Sequence, residues 1–205
     1  MRQLIDLFQI AVASADAARA LSGHWPDVDC PHILALGKAA VPMARAAIER
    51  YERSRGICIA PGGERLRAPG WQQFDAGHPL PTDASIAAGA AALRFVAELR
   101  QGDRLLALIS GGGSALMDLP ITAPAAPAGL AASDGLAQWL QVQRTLLDSG
   151  LPIDVINAVR VRLSRLKGGR LLAATRATAT TLAISDVPGD VLHWVASGPT
   201  VPWAS

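Results

Sequence analysis

Aromatic residues are scarce in this sequence: five Trp, three Phe and one Tyr make up 4% of 205 residues. Free-standing β-sandwiches lean on aromatic and β-branched side chains, so the scarcity argues against that class, and the wealth of Ala and Leu favours helices. Charge is scarce as well. Asp, Glu, Lys and Arg together are 18% of the chain and the formal net charge is +2, so neither nucleic acid nor an anionic membrane is an expected partner. Cysteine is limited to Cys30 and Cys58. They do not form a metal-spacing pair, and Cys58 sits inside an apolar run, so two buried free thiols and a reducing cytoplasm are expected. No apolar stretch reaches membrane-spanning length.

Half of the residues are hydrophobic, which excludes a disordered chain. A chain of this size buries about 70% of the surface it exposes when unfolded. At the N-terminus, Leu4, Leu7, Phe8 and Val12 recur at helical spacing and Asp6 interrupts the apolar stretch, so an amphipathic helix is read there rather than a signal peptide.

Beyond it, short apolar strands alternate with helices. HILALG, GICIAPGG, QFDAGHPLP, RLLALIS and TLAISD read as strands. KAAVPMARAAIERYERS and TDASIAAGAAALRFVAELRQ read as helices, the second with Thr82 as its N-cap. Strands that are apolar throughout are buried on both faces. The expected fold is therefore α/β: one Rossmann-like domain over residues 1–205, with a doubly wound, mostly parallel sheet and helices on both faces. Residues 121–135, dominated by Pro, Ala and Gly, read as an irregular loop or lid hinge, and helical periodicity returns with Leu136, Trp139, Leu140 and Leu147.

In such a sheet ligands gather at the carboxyl ends of the strands. Four glycine-bearing stretches fall there: Gly37-Lys38, Gly62-Gly63, Gly77-His78, and Ser110-Gly111-Gly112-Gly113-Ser114. The last follows an apolar strand and precedes a helix start. Such a turn aims backbone N–H groups and a helix dipole at one point, which suits phosphate, and the two serines add hydroxyl donors. It is neither a Walker A loop nor GxGxxG, and a tight turn with no ligand fits the pattern equally well. Lys38 opens a helix, where the dipole disfavours a cation. An anion in the cleft would explain it, and so would a solvated surface lysine. His78, between Gly77 and Pro79, suits a general base or a substrate contact, or a structural hydrogen bond. Asp186 and Asp190 in SDVPGD suit Mg²⁺ beside a phosphate, or an Asp-capped turn.

NAVRVRLSRLKGG reads as a helix on which Asn157, Arg160, Ser164 and Lys167 share one stripe. Val155, Val159, Leu163 and Leu166 form the adjacent apolar stripe, which is expected to pack. The flank then presents two cations and two hydrogen-bonding groups together, and Gly168-Gly169 end the helix where a ligand could approach; a basic solvated edge is the alternative. Arg162 and Arg165 lie off the stripe and are read as solvated. His24, His32 and His193 show no partner spacing and receive no role.

Taken together, LALGKAAVPMA, DAGHPLPTD, LISGGGSALM, LLDSGLPIDVINAVRVRLSRLKGGRL, ISDVPGD and ASGPTVP resemble the glycerate 2-kinase family that carries a C-terminal MOFRL domain. They occur in the family's order across residues 33 to 202. The resemblance implies ATP- and Mg²⁺-dependent phosphorylation of D-glycerate, a small-molecule substrate, to 2-phosphoglycerate. It implies that Lys38 matches the active-site lysine, that Ser110 to Ser114 match the glycine loop, and that Asn157, Arg160 and Lys167 match a polar helix. Members of that family also carry the label hydroxypyruvate reductase, but no dinucleotide fingerprint follows any strand here. The sequence departs from the family at Val161-Arg162, where Lys-His is usual, at Val191, where a second Asp is usual, and at Trp203, where a carboxylate is usual. It also stops at Ser205, before the domain from which the family's cleft draws a further arginine. Two expectations follow: the N-terminal half of a kinase, weak without its missing domain, or a silent homologue acting as a binding or regulatory domain. An exposed docking face would allow a homodimer.

Overall fold

The computed structural model describes residues 4–5, 16–121 and 132–202. Five strands form one sheet: β1 (His32–Leu36), β2 (Arg55–Pro61), β3 (Trp71–Ala76), β4 (Arg104–Ser110) and β5 (Thr178–Ile184). Their order is β3-β2-β1-β4-β5 and every pairing is parallel. The chain winds outward from β1 to β3, then returns to β4 on the other side of β1. The topological switch point thus lies between β1 and β4, where an open α/β sheet offers a crevice.

The apolar runs of the strands follow from burial on two sides. Leu34 and Leu36 of β1, Ile57 and Ile59 of β2, and Leu105, Ala107 and Ile109 of β4 enter one core with helix α3 (Asp83–Ala97). Ile33 and Ala35, Cys58 and Ala60, and Leu106 and Leu108 enter the other, with α1 (Ala17–Leu21) and α2 (Ala40–Arg50). Each fully buried Leu or Ile contributes roughly 1.5–3 kcal/mol. The edge strands β3 and β5 are only partly buried and carry the Gln and Thr residues that the central strands lack. Both cysteines are buried free thiols. Thr82 stands at the N-cap of α3, and its N–H donates to Ser85 Oγ at 3.0 Å.

The remaining helices are α4 (Gly113–Leu116), α5 (Ala132–Asp148), α6 (Ile153–Arg162) and α7 (Arg170–Ala173). Of the expected N-terminal helix, Leu4 and Ile5 are helical and exposed, and its other members fall outside the described residues. So do residues 122–131 of the expected irregular loop. Helix α5 is already under way at Ala132, earlier than the apolar periodicity from Leu136 indicates.

The helix expected over NAVRVRLSRLKGG is shorter than its periodicity implies. Helix α6 ends at Arg162, so Ser164 and Lys167 do not share its stripe. The backbone beyond it pairs instead with the strand-like segment after α4. Ser164 bridges Pro120, the Ile121 N–H donates to the Leu163 carbonyl at 2.9 Å, and the Arg165 N–H donates to the Leu119 carbonyl at 2.8 Å. The buried face of α6 is Ile156 and Val161, whereas Val155 and Leu163 of the expected packing stripe are 40% and 38% exposed. Gly168 and Gly169 are not an open helix end either. Their N–H groups donate to the carbonyls of Ser197 and Gly198 at 3.0 and 2.7 Å, lacing this segment to the ASGPT stretch. Arg162 and Arg165 are exposed, as expected.

Candidate active site at the sheet switch point

The turns that follow β1 and β4 are tied across the switch point. The Lys38 N–H donates to the Gly111 carbonyl at 2.9 Å. The Ala39 N–H donates to Ser110 Oγ at 3.0 Å, and that hydroxyl donates to the Leu36 carbonyl at 3.2 Å. Ser110 is 2% exposed. Its hydroxyl therefore serves the framework through both of these bonds. A side chain on Gly37 would overlap Ser110, which is why glycine precedes the lysine.

The glycine loop follows β4 at the switch point. Gly112 has φ +81°, the left-handed region that glycine enters without penalty. A Cβ there would lie 3.1 Å from both Lys38 Cε and His78 Cδ2. A Cβ on Gly111 would overlap the Asp186 carboxylate. The loop thus brings Lys38 from β1, His78 from the β3 end and Asp186 from the β5 end into one place. Lys38, His78 and Asp186 are all exposed. The imidazole of His78 is held below its ordinary pKa by desolvation, then by Lys38, with Asp186 opposing. A neutral His78 beside a cation and a carboxylate can accept a proton near pH 7.

Behind the loop, Gly113 packs against Leu36 and Ala196, and Ser197 Oγ donates to Ser114 Oγ at 3.0 Å. Ala196 and Ser197 themselves adopt positive φ, 53° and 60°. Helix α4 is a single turn. The macrodipole it adds at the glycine loop is therefore small.

The expected polar helix lies in a different setting. Lys167 is 2% exposed, and its ammonium pairs with the Asp118 carboxylate, also 2% exposed. The indole of Trp139 on α5 donates to the other Asp118 oxygen at 2.9 Å. Burial pushes the Lys167 pKa down while Asp118 opposes. The Arg160 guanidinium is also lowered by burial, again opposed by Asp118, and its buried Nε has no hydrogen-bond partner among the described residues. Asn157 is half-buried on α6. Asp190 occupies the exposed 3₁₀ turn Pro188–Asp190, and it is Asp186 whose carboxylate meets Gly111.

Sequence reasoning missed Asp118 and Ser197. The signal for Asp118 was a lone carboxylate in the apolar stretch SALMDLP, and Ser197 stood within a quoted motif. A separate cavity of about 520 Å³, lined by His32, Arg55, Glu98, Arg100 and Asp103, opens at the amino ends of β1 and β2. It lies at the opposite end of the sheet from the crevice. Among the described residues no three His, Cys, Asp or Glu side chains gather as a metal site, and no helix is long and apolar enough to cross a membrane.

Comparison with known proteins matches residues 3–205 to a family described as a domain of unknown function, DUF4147. A glycerate 2-kinase of Pyrococcus horikoshii is 39% identical over 170 residues, covering 83% of this chain and 36% of the relative. A D-glycerate 2-kinase of Thermotoga maritima is 32% identical, covering 98% of this chain and 47% of the relative. The crystal structure of a Thermotoga maritima glycerate kinase superposes with a TM-score of 0.83 over 98% of this chain and 48% of that one. The chain spans less than half the length of each of these relatives.

Proposed function

Because the chain belongs to the DUF4147 family, we propose that its switch-point crevice is part of an ATP-dependent kinase phosphorylating D-glycerate to 2-phosphoglycerate. The observation that carries this reading is the convergence of Lys38, His78 and Asp186 on Gly111 and Gly112. Phosphoryl transfer asks mainly for positioning and charge stabilisation, and this convergence offers a cation, loop amides, a neutral base and a carboxylate.

In the proposed reaction the 2-hydroxyl oxygen attacks the γ-phosphorus in line, and the bond from that phosphorus to the bridging oxygen breaks to release ADP. His78 accepts the hydroxyl proton. Lys38 and the amides of Gly111, Gly112 and Gly113 offset charge on the transferred group, with Ser114 supporting the loop from behind. Arg160 and Asn157 contribute from α6. Lys167 acts at one remove, by neutralising Asp118 and so fixing the segment that joins the loop to α6. Mg²⁺ takes one or two carboxylates plus phosphate oxygens rather than an all-protein cage. The Asp186 carboxylate against Gly111 fits that demand, and Asp190 stands four residues on. When bound, the ion would neutralise phosphate charge. The buried free thiols fit a reducing compartment, and we place the chain in the cytoplasm.

A domain that binds these ligands without turnover is the competing reading, favoured by the burial of Lys167 in an ion pair. Phosphorus NMR of a mixture of the chain, ATP, Mg²⁺ and D-glycerate separates the two. Appearance of 2-phosphoglycerate supports the kinase. Binding of both substrates by calorimetry, with no phosphorylated product from the chain alone or fused to the remainder of a full-length relative, supports the silent domain, and a 3-phosphorylated product overturns the assigned acceptor hydroxyl.

A further inference from the structure

Lys38 faces a second space besides Gly112. It lines a cavity of about 220 Å³ together with Val41, Pro42, Ala60, Gly63 and Glu64. The lining is largely apolar, and its two charged residues are Lys38 and Glu64. Glu64 is held in place. Its carboxylate accepts from Arg45 Nη1 at 3.1 Å, and Arg45 Nη2 donates to the Arg65 carbonyl at 3.0 Å. Gln73 of β3 donates to the Glu64 carbonyl at 2.7 Å and accepts the Leu66 N–H at 2.7 Å, while Arg65 pairs with Asp75 at 3.0 Å. The loop bearing Glu64 is thus fastened to α2 and β3.

We propose that this cavity is the acceptor subsite, and that it selects hydroxy acids with a single acid group. The proposal rests on the kinase reading above. The cavity is smaller than the roughly 300–1,000 Å³ of sites for drug-sized ligands, so it suits a short acid and not a nucleotide. The Lys38 ammonium takes the carboxylate, and the Glu64 carboxylate accepts a hydrogen bond from the 3-hydroxyl, which leaves the 2-hydroxyl to His78 at the mouth of the cavity. The phosphoryl donor then lies on the glycine-loop side, which puts Lys38 between donor and acceptor. A second carboxylate or a phosphate on the acid would meet Glu64, and like charge there rejects it.

Calorimetric titration of the chain with D-glycerate, with tartronate and with ADP tests this, using the unsubstituted protein and Glu64→Gln. The substitution keeps shape and removes charge at an exposed position. It should weaken D-glycerate about tenfold, tighten tartronate, and leave ADP unchanged. Gly62→Ala adds a methyl to the lining, in ordinary contact with Asp75 Cβ at 3.8 Å, and should weaken D-glycerate while sparing ADP. Should Glu64→Gln leave the ratio of glycerate to tartronate affinity unaltered, the subsite is overturned and the kinase reading stands. Should the unsubstituted chain bind no D-glycerate, the kinase reading falls and the subsite with it.

Discussion

Lys167 and Asp118 form an ion pair in which each side chain is 2% exposed. Asp118 also accepts from Trp139 on α5, and its N–H donates to the Ser85 carbonyl of α3 at 3.2 Å. Asp118 therefore ties the end of the glycine loop to α5 and the segment after α6 through its carboxylate, and to α3 through its backbone N–H. Lys167, which the sequence places on a polar stripe with Asn157 and Arg160, is tied into this buried frame.

Asp118→Ala should destabilise the chain by about 3–5 kcal/mol, because it leaves a buried ammonium unpaired. Urea unfolding measures the loss. Replacing both partners, Asp118→Leu with Lys167→Met, should recover most of it, since two apolar groups avoid the desolvation of two charges. A double variant as unstable as the single one would show that the pair's geometry matters more than its charge.

Gly112→Val should abolish nucleotide binding while the chain stays folded. Its φ of +81° strains a β-branched residue by roughly 1–3 kcal/mol, and the new side chain would press on Lys38 and His78. Circular dichroism reports the fold and calorimetry with ADP the binding. Unchanged ADP affinity would remove the loop from the site.

The sheet was readable because its cause is simple. Strands buried on both faces must be apolar throughout, and β1, β2 and β4 are. Strand-end glycines then marked the rim, and Lys38, His78 and Gly112 do meet there. What was not legible in the sequence has a different cause. Ser110 and Lys167 carry groups that serve either a ligand or the frame, and only tertiary partners decide: Leu36 and Ala39 for one, Asp118 for the other. The periodicity of NAVRVRLSRLKGG continues past Arg162, yet the backbone leaves the helix to pair with residues 119–121. A helical pattern in side chains cannot reveal that competing backbone partner. His32, given no role, proves to be 7% exposed, with Nδ1 accepting from Arg55 Nε at 3.3 Å.

That histidine makes stability depend on pH. Burial first, then Arg55, holds its pKa below the ordinary value of about 6.5, with Asp103 opposing. Between the ordinary value and the lower folded one, the unfolded chain binds the extra proton. Stability should therefore fall as pH drops through that window, and His32 should add no slope above it. Urea midpoints at about pH 7.5 and 5.5 should differ more for the unsubstituted chain than for His32→Gln. Equal differences would show that His32 does not titrate with folding.

The most direct test of the crevice is ADP release from ATP and Mg²⁺ with and without D-glycerate, for Lys38 and for Lys38→Met. The chain is assayed alone and fused to the remainder of the Thermotoga maritima relative. The account predicts glycerate-dependent release in the fused form at least, falling about 100-fold or more in Lys38→Met with the fold intact. Glycerate-independent release, no release in either form, or release that Lys38→Met leaves unchanged would contradict it.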